Sequence, residues 1–472
     1  FTSGVSFTGD LTVSTGGVLV IDNTVDVSGD ANITLGDNLS DGAPLVVSGQ
    51  TTIATGGNDV TLDAPGLDLA SVEITGGGAI TIADSNALAF GGGASTVDSL
   101  TASAGAGSTL TLAEQVDVTA GNADLTGPAG IAINAALDVQ AGNLDLTTTG
   151  DVTSGAGGVV DVSGNLTVAG NGAPSNIEID EAGSTFGAAV SITTSGSLGT
   201  VSLADDTVLQ LPGLTATTLT VVVGGDLTQG GALDISGQTT VTAGANNVTL
   251  ANAGNDFANL QIVSAANADI RDTNALVFGG GASAVTTNLD IQVGGNLTQA
   301  SAVSAGGQTV ITAGANNVTL FNAANDFASL RVVSAATANI RDANALAFGG
   351  GASALTTNLG IQVGGNLTQT AAVSVGAQTT LIAGANNVTL TNAGNDFTDL
   401  RIVSAANADI RDTNALAFGA GASAVTTNLT LAVGGDLTQS AAVSAGGQTT
   451  ITAGGNDVTL TDGANNFATL RL

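Results

Sequence analysis

The repeat that decides the fold begins with Gly224-Gly225-Asp226-Leu227-Thr228-Gln229. The same phrase returns at 294–299, 364–369 and 434–439, with Asn in place of Asp in the two middle copies. The offset is 70 residues each time, without slippage. Because a single insertion would displace every unit that follows it, a constant period indicates units that stack on one another.

Short runs inside each repeat alternate between apolar and polar residues. Val248-Thr249-Leu250 and Ile311-Thr312-Ala313 are typical, and Gly, Asn or Asp bounds such runs. This alternation indicates β-strands, and no stretch has the periodicity of an amphipathic helix. Beyond Leu297, strand-like phrases recur at Val318, Ile340 and Leu367. The successive intervals are 21, 22 and 27 residues. We therefore predict an all-β parallel β-helix (a β-solenoid) with about 20–27 residues per coil and three coils per 70-residue repeat.

The chain is expected to have two parts that form one continuous body. Residues 1–212 are an irregular solenoid half that contains all five prolines. Residues 213–472 are regular, with repeats at 224–293, 294–363 and 364–433 and a partial repeat at 434–472. The halves are related, since Gln50 precedes Phe90 by 40 residues, as Gln238 precedes Phe278. Inside the coil we expect Phe257 to stack on Phe278 and Leu250 on Ile270.

The composition excludes much chemistry. Cys, His, Met, Trp and Tyr are absent, and the six basic residues are all Arg. Disulfides, His or Cys metal ligands and the usual thiol, imidazole and amine catalysts are therefore excluded. The net charge of −33 disfavours nucleic acid as a partner. No apolar run approaches the roughly 20 residues of a membrane span.

Acidic residues offer weak candidates for function. Asp256, Asp326 and Asp396 recur at one point of each repeat and could supply oxygen ligands for Ca²⁺. Turn-forming Asn and Asp explain the pattern as well, so we expect no cofactor other than this possible Ca²⁺. Asp205-Asp206 and Asp180-Glu181 resemble the carboxylate pairs of glycosidases. Such pairs arise by chance among 39 acidic residues, so we expect no catalysis.

The arginines are regularly placed. Arg271, Arg341 and Arg411 each precede an Asp, and Arg331, Arg401 and Arg471 each follow a Leu. They could form an electropositive ladder for a polyanion. Surface ion pairs, worth roughly 0–1 kcal/mol each, are the favoured interpretation in so acidic a chain.

Four phrases of the regular half resemble the repeats of large bacterial filamentous-haemagglutinin-like exoproteins. They are VGGNLTQ (293–299), GGQT (306–309), TAGANNVTL (312–320) and NDF (325–327). The resemblance implies a right-handed helix, export across the outer membrane, and a role in adhesion or biofilm matrix. The amino-terminal secretion domain of that family usually carries Asn-Pro-Asn-Gly, which is absent here. The segment is therefore not that domain, or not that export route.

These observations predict a secreted structural protein, located outside the cell or on its surface. It would form an extracellular fibre, an adhesin shaft or a biofilm-matrix filament. The chain ends at Leu472 inside a repeat, so we expect either further chain or head-to-tail stacking of copies. The alternative is an adhesin module that binds a glycan, an extracellular polysaccharide or a host or neighbouring cell surface. A polysaccharide-active β-helix enzyme is the remote alternative.

Overall fold

A computed structural model describes residues 3–170, 176–187 and 189–472, so Pro174 lies outside it. These residues form parallel β-strands and no helix, which confirms the all-β solenoid. Consequently the described ranges contain no helix long and apolar enough to cross a membrane. The chain divides into two compact units, Phe1–Gly231 and Ala232–Leu472. Together they contain about 22 turns. The change of regularity placed at 212 stays a prediction.

The first unit stacks coils whose strands lie on three sides. Three strands of one coil pair in parallel with three strands of the next. The paired residues include Leu110 with Ile131, Val116 with Leu137, and Ala123 with Leu144. Paired residues are between 18 and 25 positions apart, as at Val201–Leu219 and Val152–Ile177. In chain order, β1 to β29 are Val5–Phe7, Leu11–Ser14, Leu19–Ile21, Val25–Val27, Ala31–Thr34, Leu39–Asp41, Leu45–Ala54, Val60–Leu62, Asp68–Thr75, Ala79–Ala83, Leu88–Phe90, Ser95–Val97, Ser99–Ser103, Thr109–Leu112, Val116–Val118, Ala123–Thr126, Gly130–Ile133, Leu137–Val139, Leu144–Thr148, Asp151–Ser154, Val160–Val162, Leu166–Gly170, Ile177–Ile179, Thr185–Phe186, Val190–Thr194, Leu198–Asp205, Leu209–Leu211, Leu214–Val223 and Leu227–Gln229.

The second unit is more regular, and its strands form two parallel sheets that run the length of the unit. Paired residues are mostly 20 or 21 positions apart, as at Leu250–Ile270, which confirms that predicted offset. In chain order, β30 to β55 are Leu233–Thr242, Val248–Leu250, Asp256–Ser264, Ala268–Asp272, Leu276–Phe278, Ser283–Val285, Leu289–Val293, Leu297–Gln299, Val303–Thr312, Val318–Leu320, Asp326–Ser334, Ala338–Asp342, Leu346–Phe348, Ser353–Leu355, Leu359–Val363, Leu367–Gln369, Val373–Ile382, Val388–Leu390, Asp396–Ser404, Ala408–Asp412, Leu416–Phe418, Ser423–Val425, Leu429–Val433, Leu437–Gln439, Val443–Thr452 and Asn466–Arg471.

The expected three coils per repeat need a correction to three and a half. Ile340 pairs with Ile361, so the 27-residue interval from Ile340 to Leu367 is longer than one coil. Seven coils span two repeats, because in-register pairs lead from Val248 through Ala268, Leu289, Thr309, Leu330, the strand 346–348 and Leu367 to Val388.

The half coil moves each motif to the other sheet in the next repeat. Strand β38 (Val303–Thr312) lies in one sheet, and its equivalent β46 (Val373–Ile382) lies in the other. The next equivalent, β54 (Val443–Thr452), is back in the first sheet. Any side chain that recurs every 70 residues is therefore displayed on the two sheets alternately.

The core is a narrow column of aliphatic side chains with occasional Phe. Strand residues alternate between buried and outward positions, as in Val318-Thr319-Leu320, because successive side chains of a strand point to opposite faces. Phe257 and Phe278 are both fully buried. They do not stack on each other as expected, since Phe257 pairs with Ile235 and Phe278 with Leu260.

Candidate functional site

The glycines of the recurring phrase let two coils approach closely. A Cβ on Gly294 would lie 2.2 Å from the carbonyl oxygen of Thr273 in the coil before it. Only a residue without a side chain fits there. The next residue of the phrase, Asn296, accepts the backbone N–H of Asn317 through Oδ1 at 2.9 Å. The phrase thus fixes the register of one coil on the next.

The phrase ends in a glutamine that pairs with a buried asparagine. Gln299 Nε2 donates to Asn325 Oδ1 at 2.8 Å, and Asn325 Nδ2 donates back to Gln299 Oε1 at 2.7 Å. Asn325 is fully buried, and it also accepts Val303 N–H at 2.9 Å and donates to Leu320 O at 3.0 Å. Gln369 forms the same pair with Asn395. A buried amide with all these partners is structural.

Sequence reasoning singled out the Asp of each recurring Asn-Asp pair, whereas the buried residue is the Asn. Asp256, Asp326 and Asp396 begin strands β32, β40 and β48 and are partly or fully exposed. Asp396 Oδ1 accepts Asn414 Nδ2 at 3.0 Å. Within the described ranges there is no group of three or more acidic side chains that could hold a metal ion. Calcium binding at these residues stays a prediction.

A second set of aspartates is buried. Asp272 Oδ2 accepts Phe257 N–H at 2.7 Å, and its Oδ1 accepts Asn274 N–H at 2.8 Å. Asp342, Asp412 and Asp84 make equivalent bonds. Burial raises the pKa of Asp272, and Asp256 raises it further, while the two N–H donors lower it. These carboxylates close turns of the coil.

The arginines do not form one ladder. Arg271 and Arg411 lie in one sheet and Arg341 in the other, because of the half coil. Arg271 Nη2 donates to Gln292 Oε1 at 2.6 Å, and Arg331 Nε donates to the Ala352 carbonyl at 3.4 Å. The arginines therefore do not form the single continuous row that a ladder for a polyanion would need.

The carboxylate pairs considered for catalysis take part in local hydrogen bonds. Asp205 is buried, and its Oδ1 accepts the N–H and the hydroxyl of Thr207 at 2.8 and 2.7 Å. Asp180 Oδ2 accepts Ser202 Oγ at 2.7 Å. These bonds bridge or close coils, and the expectation of no catalysis stays untested.

Side-chain ladders connect further coils. Asn267 Nδ2 donates to Asn247 Oδ1 at 2.8 Å, and Asn288 Nδ2 donates to Asn267 Oδ1 at 3.1 Å. Gln50 Nε2 reaches across two coils to the Gly91 carbonyl at 2.7 Å. This contact explains the 40-residue spacing seen in both halves, since Gln238 Nε2 donates to the equivalent Gly279 carbonyl at 3.3 Å. Most recurring polar residues are thus explained by the stacking itself.

Comparison with known proteins identifies a family without assigning a function. A family described as Repeats of unknown function (DUF5649) matches at residues 5–75, 120–193, 198–264, 265–334, 335–404 and 405–471. No curated protein and no solved structure matches the chain. The matched segments cover most of the sequence, so the chain belongs to the DUF5649 repeat family.

Proposed function

We propose that this chain is a structural segment of a secreted fibre: an extracellular filament, an adhesin shaft or a strand of biofilm matrix. The proposal rests on one observation: the recurring polar residues hydrogen-bond to other parts of the stacked coils. The Gln299–Asn325 pair and the Asn ladders join one coil to the next, and the buried Asp residues close turns within a coil. A repeat whose polar groups serve stacking is suited to length and stiffness.

Composition supports an extracellular setting. The chain has no Cys and no Met, so it lacks the side chains that oxidise most readily. It also has no Lys and only six Arg, which leaves few sites for trypsin-like proteases. The resemblance of the four phrases within 293–327 to filamentous-haemagglutinin-like exoproteins points to the same setting. Immunogold labelling of intact cells tests it, with label on the surface or matrix expected and label confined to the cytoplasm contradicting it.

Two arrangements would build such a fibre. Either one long chain contains many of these coils, or separate copies stack head to tail. Backbone N–H and C=O groups at an unpaired strand edge can pair with another chain. Stacking of this kind is heterologous and produces an open filament.

Negative-stain electron microscopy of the purified chain tests the structural role. We expect unbranched rods, which lengthen with protein concentration if copies stack and keep one length if they do not. Val318→Asp places a charge in the core and should abolish the rods. Thr319→Asp, at the exposed neighbouring position, should leave them unchanged. Compact particles from the unmodified chain would contradict the proposal.

A further inference from the structure

A glycine-rich turn in each 70-residue repeat lies over the strand of the preceding coil without pairing to it. In the last full repeat this turn is 419–422, between β50 and β51. Backbone pairing between β48 and the following coil stops after Leu400–Phe418 and resumes at Ala405–Val425. Between these two pairs, side chains have to hold the turn against the coil below it.

Two side-chain hydrogen bonds hold the equivalent turn in the preceding repeat. Gln308 Nε2 donates to the Gly349 carbonyl at 3.2 Å, and Arg331 Nε donates to the Ala352 carbonyl at 3.4 Å. One repeat earlier, two glutamines make the equivalent bonds, each at 3.3 Å. The first and last residues of the turn are thus tied down in both of these repeats.

The turn 419–422 lacks both bonds. Its equivalent donors, Gln378 Nε2 and Arg401 Nε, are shielded from solvent and have no hydrogen-bond partner within the described ranges. A third contact is lost as well, because Asp399 replaces Ser329, whose hydroxyl donates to the glutamine Oε1 at 3.4 Å. An ionised carboxylate has no proton to donate. Since buried donors without partners are costly, this turn is held less firmly than its equivalents.

A methyl group at the second position of the turn explains the loss. A Cβ on Gly350, whose φ is 70°, would lie 2.2 Å from Gln308 Oε1. At the equivalent Gly280 a Cβ would lie 2.5 Å from a glutamine Oε1. Ala420 occupies this position with a φ of 55°, and it is the one non-glycine residue with a positive φ in the described part of the chain. Its Cβ therefore excludes Gln378 from the arrangement that Gln308 adopts.

The peptide bond between Arg401 and Ile402 depends on this turn. The N–H of Ile402 donates to the hydroxyl of Ser423, the residue that follows the turn, at 3.0 Å. The guanidinium of Arg401 lies against the turn, since a Cβ on Gly421 would be 3.0 Å from its Cζ and Nε. Displacement of the turn therefore frees both the arginine side chain and the amide that follows it.

We propose that the turn 419–422 opens locally and makes Arg401–Ile402 the preferred internal cleavage site of the folded chain for arginine-specific proteases. Hydrolysis adds water across this peptide bond, leaving a carboxylate on Arg401 and an amine on Ile402. Cleavage of a folded protein proceeds through locally opened states, and segments with few satisfied contacts open most readily. The chain has six Arg and no Lys, so few bonds compete. This inference goes beyond the structural role and does not depend on it.

Digestion of the whole folded chain with trypsin, followed by mass spectrometry of the fragments, tests the proposal. Arg331–Val332 is the matched bond, because Val332 N–H also donates to a serine hydroxyl at 3.0 Å but lies beneath a turn that keeps both side-chain bonds. Cleavage of the same two bonds in the urea-unfolded chain gives the intrinsic rates by which the native rates are divided. We expect cleavage after Arg401 to be at least tenfold faster than after Arg331. Equal normalised rates would overturn the proposal.

Matched variants test the cause. Ala420→Gly removes the methyl group and should slow cleavage after Arg401 at least tenfold. Gly350→Ala adds a methyl group to the preceding repeat and should speed cleavage after Arg331 at least tenfold. Ala424→Gly, at an exposed position of β51, is the control and should not slow cleavage after Arg401. An unchanged rate in Ala420→Gly, or equal slowing by the control, would overturn the proposal. Ala420→Gly restores the residue of the other repeats, so the test does not depend on the folding of Gly350→Ala.

Discussion

A ladder of carboxylates in the first unit contrasts with a ladder of amides in the second. Asp117, Asp138 and Asp161 lie in register on successive coils, and Asp124 lies in register with Asp145. Gln115 and Gln140 donate to Asp117 and Asp138, which compensates part of the repulsion. In the second unit, by contrast, Asn247, Asn267 and Asn288 donate to and accept from one another. Parallel stacking thus tolerates either side chain. Stacked amides can hydrogen-bond to one another, whereas stacked ionised carboxylates cannot, because they only accept.

A buried position differs in the same way. Leu67 is fully buried in the first unit, and the equivalent residue of the second unit is the buried Asn255, repeated as Asn325 and Asn395. The first unit closes this turn with apolar packing and the second with an amide network. The comparison predicts that the regular unit depends more on specific hydrogen bonds.

The largest expected effect comes from placing the leucine of the first unit at the equivalent position of the second unit. Asn325→Leu should destabilise the chain by about 3 kcal/mol, because Val303 N–H, Leu320 C=O and Gln299 lose buried partners. Urea unfolding followed by circular dichroism measures this change. Thr319→Ala, at an exposed outward position, is the control and should stay within about 0.5 kcal/mol. Equal effects of the two substitutions would remove the distinction between the units.

The next effect is a rise in stability on mild acidification, in both units. Burial raises the pKa of carboxyls on each side of the comparison, so the folded chain binds protons before the unfolded chain does. The free energy of unfolding should increase as the pH falls from 7 through the folded pKa values, until the unfolded carboxyls protonate near 3.8. The groups are Asp41, Asp84, Asp124, Asp205, Asp272, Asp290, Asp342 and Asp412. Urea unfolding at a series of pH values measures it, and a steady loss of stability below pH 7 would contradict the assignment.

Much of this arrangement could be predicted from sequence, and the remainder had a physical reason to be missed. Alternation in Val248-Thr249-Leu250 and the constant 70-residue offset were enough for strands, parallel stacking and the Leu250–Ile270 register. The half coil cannot be predicted from the recurring phrases alone, because Ile340 pairs with Ile361, which belongs to none of them. The depression beside Phe321 could not be predicted either, because Phe321 and Gly360 both line it but are 39 positions apart in the sequence.

Exchanging the ladder residues should give a smaller effect. Burial and repulsion by Asp145 raise the pKa of Asp124. Asp124→Asn should therefore stabilise the first unit at pH 7, and solvent screening of this partly exposed carboxylate limits the gain to at most about 1 kcal/mol. The reciprocal Asn267→Asp should destabilise the second unit by about 1 kcal/mol, because Asn247 loses its donor. Urea unfolding at pH 7 and pH 3 measures both. A stabilising Asn267→Asp would show that amide ladders are not preferred.

The smallest effect concerns a position that the two units share. Thr51 and Thr309 are fully buried, and their hydroxyls have no hydrogen-bond partner among the described residues. Thr309→Val keeps the shape and removes the hydroxyl, so it should stabilise the chain by about 0.5–1 kcal/mol. Thr51→Val should do the same in the first unit. Differential scanning calorimetry measures the shift, with Thr319→Val as the exposed control. Destabilisation by Thr309→Val alone would mean that the units use this position differently.

The most direct test of the stacked fold is a pair of distances across repeats. Thr249, Thr319 and Thr389 are exposed at equivalent positions, and the chain has no native Cys to interfere with spin labelling. Pulsed electron paramagnetic resonance should place labels at 249 and 389 about 34 Å apart, on one sheet and seven coils distant. The label at 319 should lie on the other sheet. Distances of about 14 Å for 249–319 and about 29 Å for 249–389, both within one sheet, would mean three whole coils per repeat and contradict the account.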